Sequence, residues 1–85
     1  MENEEEIGKV VHYFAKPQVA WVKLSGKIHI GDQIHVKGAT TNFTCTVQSL
    51  RDDNDLDVQE MAAGEEAGIK VPDKVREHDI IYKVG

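Results

Sequence analysis

Cysteine occurs once and proline twice in the 85 residues, and no apolar run approaches the roughly 20 residues that cross a bilayer. A lone Cys45 excludes an internal disulfide. The opening MENEEE is the reverse of a basic signal-peptide start, so a reducing, cytoplasmic setting is expected and a membrane partner is not. The phosphate-cradling pattern G-x-x-x-x-G-K-S/T is missing, and so is an Asn-Lys-x-Asp base-reading motif; no GTP binding follows. No segment carries a helical apolar period, which excludes helices longer than a turn. Low-complexity stretches are also missing, and 40% of the chain is hydrophobic, enough for one small globular domain.

What is present is short, β-branched and frequently interrupted. IGKVVHYF (7–14) and QVAWVKL (18–24) flank a turn at Pro17 and read as a hairpin. Ala20, Val22 and Leu24 share one face of the second run; Trp21 and Lys23 share the other, solvent-side face. DQIHVKG (32–38) alternates with Ile34 and Val36 inward, and TTNFTCTVQSLR (40–51) reads as one long strand with a bulge near Gln48-Ser49. EAGIKV (66–71) and IIYKV (80–84) supply the last strands. Six or seven strands with turns every 8 to 12 residues predict an all-β fold. A small closed, mostly antiparallel barrel is expected, because closure removes edges, with Val10, Val22, Ile34, Val36, Val47 and Val71 in its core. Residues 1–6, with four Glu, offer no apolar face and are expected to form a disordered acidic leader before one domain over 7–85.

The strand starts share a punctuation. Gly31-Asp32, Gly64-Glu65 and His78-Asp79 each end a turn just before apolar alternation resumes. Glycine admits φ > 0, and the acid can accept hydrogen bonds from turn N–H groups. Each pair is therefore expected to turn the chain sharply into a new strand.

Taken in order, IGKVVHYFAKPQVAWVKL, KIHIGDQIHVKG, VQSL, EMAAGEEAGIKV and VREHDIIYKV resemble two related groups. One is domain 2 of the elongation factor Tu-type translational GTPases, with its stand-alone elongation factor-like relatives. The other is the barrel at the C-terminal end of collagenase-like peptidase family members. The resemblance spans nearly all of residues 7–84 and implies a non-catalytic β-barrel module. His78 departs from it, since similar sequences carry Gly before this Asp; a His there implies either a less strained turn or a φ > 0 held at some cost.

The charge of −5 is unevenly laid out: residues 7–51 hold six bases and one acid, residues 52–85 ten acids and four bases. Either this makes a basic face for phosphates, or strands from both halves interleave and the field averages out. His12, His29, His35 and His78 show no metal-ligand spacing, Cys45 alternates with core residues, and the Asp52, Asp53, Asp55 and Asp57 run lacks the glycine and final glutamate of a calcium loop. No catalytic, metal or cofactor residue is therefore assigned. A candidate contact patch of Lys16, Trp21, Lys23 and Lys37 remains, with Trp21 stacking on a base or anchoring in a protein. Two functions follow from the resemblance: an adaptor docking on RNA, ribosome or tRNA-related machinery, or a module acting in trans with a collagenase-like peptidase. DNA is not an expected partner.

Overall fold

Alternation at period two, broken by turn residues, sets the architecture. The computed structural model describes residues 4–84 and holds nine strands. They are β1 (Glu4–Phe14), β2 (Val19–Leu24), β3 (Ile28–His29), β4 (Gln33–Lys37), β5 (Asn42–Thr46), β6 (Leu50–Arg51), β7 (Glu60–Met61), β8 (Glu66–Lys70) and β9 (Ile80–Val84). Seven of them form one antiparallel sheet in the order β5-β4-β9-β1-β2-β8-β6, and β3 pairs with β7 in a small second sheet. No helix among the described residues is long and apolar enough to cross a membrane.

All-β holds, but the barrel is not closed. β5 and β6 lie at opposite ends of the sheet order and do not pair. They are nonetheless joined by residues 47–49 alone, a link that spans at most about 14 Å. The sheet must therefore curl until its two edges nearly meet at that corner, giving a half-barrel with a seam. The expected bulge at Gln48-Ser49 is instead a crossing from one edge to the other. Val47 and Leu50 are both buried at 1% exposure, so burial at the two ends of the link carries the chain across.

The inner face is the core. All six residues expected there, Val10, Val22, Ile34, Val36, Val47 and Val71, are 2% exposed or less, alongside Ile7, Ile28, Ile69 and Ile81. Burying each such side chain contributes about 1.5–3 kcal/mol before conformational entropy is set against it.

The leader expected over 1–6 is strand from Glu4 onward; residues 1–3 lie outside the described residues. Glu4, Glu5 and Glu6 face Val84, Lys83 and Tyr82 across the β1–β9 ladder. A run of three charges has no apolar face, but a backbone needs none when a neighbouring strand offers its N–H and C=O groups. Shifts in register between Glu6 and Gly8, and again between Val10 and His12, bend the long β1 so that it serves both β9 and β2.

The strand-starting turns are built alike. Asp32, Glu65 and Asp79 each donate their backbone N–H to the carbonyl three residues earlier (His29, Ala62 and Arg76, at 3.1, 3.3 and 3.1 Å). Each carboxylate in turn accepts the N–H of that same residue, at 2.9, 3.3 and 2.9 Å. The residue before each acid has φ > 0: Gly31 at 97°, Gly64 at 92° and His78 at 78°. Of the two alternatives open at His78, the structure has the left-handed one, in a turn closed by the reciprocal Arg76–Asp79 pair.

Candidate functional site

The outer face of the sheet carries the exposed chemistry, in two separate clusters. On β2, alternation turns Val19, Trp21 and Lys23 outward while Ala20, Val22 and Leu24 go to the core. Opposite Trp21 on β8 stands Gly68. A side chain there would meet the indole at 3.2–3.3 Å, so the missing Cβ lets the ring lie against the β8 backbone. The indole Nε1–H donates to Glu66 Oε1 at 2.6 Å, which fixes the ring's orientation. Around it Phe14, Pro17, Val19, Gly68, Arg51 and Asp55 line an open, mainly apolar groove of about 470 Å³. Phe14 is 46% exposed on this wall, with its ring edge-on to His12 at 4.5 Å between centroids.

One rim of the groove is set by the acidic turn. Asp52 Oδ1 accepts the N–H groups of Asn54 and Leu56 at 2.9 and 3.0 Å, closing the loop on itself. Arg51 then reaches Asp55 at 3.0 Å and Asp57 at 3.3 Å. These aspartates organise a turn. No group of three or more His, Cys, Asp or Glu side chains among the described residues could hold a metal ion.

The second cluster lies across the sheet. Glu4 Oε2 meets His35 Nδ1 at 2.6 Å, Glu4 Oε1 meets Lys37 Nζ at 3.0 Å, and Asn42 Oδ1 faces His35 Nε2. Lys37 Nζ also sits 5.3 Å from the centre of the Tyr82 ring. With an acceptor at each ring nitrogen, the hydrogen bond to Asn42 first and that to Glu4 second raise the pKa of His35 above its ordinary 6.5. Hydrogen bonding to His35, then to Lys37, lowers Glu4 below 4.5.

The pH dependence has two limbs. A raised His35 pKa contributes stability that is complete below about 6.5 and is lost as pH rises through the folded value. The depressed Glu4 contributes above about 4.5 and is lost as pH falls through its folded value. His35→Gln should therefore cost most between those pH values, and the gap in Tm to the wild type should narrow on the alkaline side. Thermal melts of both proteins across this range check it; a gap constant with pH would mean that folding leaves the pKa of His35 unshifted.

The four expected contact residues are only partly brought together. Trp21 and Lys23 share the groove's strand, and Lys16 sits in the turn between Phe14 and Pro17. Lys37 is on the same face, in a row running Lys37–Ile80–Lys9–Lys23, but three strands from β2, about 14 Å. There it is bound to Glu4. Interleaving has also spent part of the basic half: Lys27 pairs with Glu60, Lys37 with Glu4, and Arg51 with Asp55 and Asp57. Sequence reasoning missed Gly68 and Arg51 as partners of Trp21. Their signal is cross-strand register, which one strand does not reveal.

No family model matches the chain. It is 38% identical over 77 residues to a Methanocaldococcus jannaschii protein named as an uncharacterized protease, and 34% identical over 79 residues to a Porphyromonas gingivalis collagenase. Each match takes in 91% of this chain but only 19% and 22% of those proteins, so the chain spans about a fifth of the relatives' length. Among solved structures, it is similar to the C-terminal domain of a Geobacillus thermoleovorans protein assigned to the U32 peptidases, with TM-score 0.88 at 20% identity over 93% of this chain and 91% of that one. The selenomethionine form of that domain gives 0.86 at 19%, covering 91% and 96%. The collagenase-like side of the resemblance is supported; the elongation factor Tu side finds no support here.

Proposed function

We propose that the chain is a non-catalytic interaction module that acts in trans with a collagenase-like protein of the U32 type, in a reducing cytoplasm. The observation that carries this reading is the match of 91% of the chain to about a fifth of such proteins, on the fold of a C-terminal domain. The docking face is the Trp21 groove. A large, oriented aromatic beside an exposed Phe14 and a paired arginine has the make-up of an interface hot spot. Such anchors bury apolar area with little loss of side-chain freedom, because Glu66 already holds the indole in place.

The test is a binding titration between the purified chain and a U32-type protein from the same genome lacking its own C-terminal domain. Complex formation is expected, with Trp21→Ala weakening it by about 2 kcal/mol or more, roughly 30-fold. A second reading keeps RNA as the partner. Lys16 and Lys23 flank the groove, and with Lys9 they make no ion pair among the described residues. No binding to the peptidase-type protein, together with salt-sensitive binding to tRNA that Lys23→Ala weakens, would replace the first reading with the second.

A further inference from the structure

The seam where the half-barrel stays open offers a second surface, separate from the Trp21 groove. One wall is β5, one of the sheet's two edge strands. Its backbone polarity follows from the bonds that flank it. Gly38 N–H donates to Thr41 O at 2.7 Å, and Val47 N–H to Asp32 O at 2.9 Å. Because bonded and non-bonded residues alternate in an antiparallel ladder, Phe43 and Cys45 bond to β4, while the N–H and C=O groups of Asn42, Thr44 and Thr46 point away from it. No backbone hydrogen bond outside the β4 ladder involves any of these three among the described residues. Edges of this kind are ordinarily guarded by lysine, proline or a bulge. Here residues 38–50 carry no charge and no proline, in a chain that is 29% charged.

The other wall is the end of β8 and the segment that follows it. Thr40, Thr41, Asn42 and Phe43 face Asp73, Lys74 and Arg76 across a cavity of about 330 Å³. Further along the same seam, Cys45 and Thr46 face Lys70, Val71 and Pro72 across about 220 Å³. The cations on this wall outnumber its acid. Asp73 spends its carboxylate on the N–H of Lys74 at 2.8 Å. Lys70, Lys74 and Arg76 make no side-chain ion pair or hydrogen bond among the described residues.

We infer that this seam binds an extended, acidic peptide segment of a partner protein, which adds as a strand to β5 and sets its carboxylates against Lys70, Lys74 and Arg76. The main chain of the segment satisfies the edge groups of Asn42, Thr44 and Thr46, and the basic wall selects its charge. A second copy's β5 would satisfy the same edge, but being uncharged it would leave all three cations unneutralised. That is why an acidic segment fits better than self-pairing.

The experiment uses two labelled short peptides, one alternating glutamate with valine and one alternating lysine with valine. Each is titrated into the full chain by fluorescence anisotropy, with amide hydrogen exchange followed in parallel. The acidic peptide is expected to bind about tenfold or more tighter, with affinity falling as salt rises. Its binding should slow exchange at Asn42, Thr44 and Thr46. Thr44→Pro removes an edge donor without touching the β4 ladder and should abolish binding. Lys70→Glu, Lys74→Glu and Arg76→Glu combined are exposed changes that leave the core alone, and should invert the preference between the peptides. Equal affinity for the two peptides, or no binding by either, would overturn the inference. So would protection confined to other strands, or protection of the same amides by concentration-dependent self-association without peptide.

Discussion

Replacing Gly38 by alanine is expected to destabilise the domain by roughly 3 kcal/mol, on the order of 15 °C in Tm. A methyl at this position would overlap the carboxylate of Asp79. That carboxylate cannot swing into solvent without loss, because Asp79 is 4% exposed and its Oδ2 closes the turn on the Arg76 N–H at 2.9 Å. Nor can the glycine backbone retreat, since its N–H is tied to Thr41 O at 2.7 Å. The clash therefore falls on the turn that launches β9. A double-mutant cycle with Asp79→Ala checks the cause: the pair should cost clearly less than the sum of the single changes. Additive costs would show that Gly38 matters for another reason.

The second large effect is removal of residues 1–6. A disordered acidic leader would be lost without consequence, and relief of charge repulsion would even help. The structure requires the opposite. The deletion strips the Glu4–Val84, Glu5–Lys83 and Glu6–Tyr82 pairs from β9, and the lost ladder hydrogen bonds alone cost about 2 kcal/mol or more. It also leaves His35 and Lys37 without the carboxylate they share. Tm should fall by roughly 10 °C, and amide exchange should quicken along Tyr82–Val84. An unchanged Tm would detach Glu4–Glu6 from the fold.

How far the sequence is legible depends on which interaction decides each element. Turns decided locally are readable: the φ > 0 residue and its following acid at Gly31-Asp32, Gly64-Glu65 and His78-Asp79 announce themselves without knowledge of any neighbour. The inward residues follow from alternation, which is why Val10, Val22, Ile34, Val36, Val47 and Val71 are all buried as expected. Elements decided by a distant strand are not readable. Glu4–Glu6 look like a tail until β9 is placed beside them, 76 to 80 residues away in the chain. Gly68 looks like an unexplained glycine within a strand until Trp21 is found lying against it. Closure fails for the same reason: no local pattern says whether β5 and β6 will pair, and they do not. The candidate patch divides along this line too, with Trp21 and Lys23 linked by one strand and Lys37 drawn off by Glu4.

The place of β9 has a consequence for the order of events in folding. It lies between β4 and β1, and no other ladder of the seven-stranded sheet joins the β5-β4 pair to the β1-β2-β8-β6 group. It is also the last of the nine strands among the described residues. Two subassemblies can therefore collect separately, but they stay unlocked until residues 80–84 have inserted between them. Until then the β1 and β4 edges that will accept β9 lie open to any passing strand. Joining the two halves of the sheet is thus a long-range event, since β9 must find β1 from the far side of seven intervening strands.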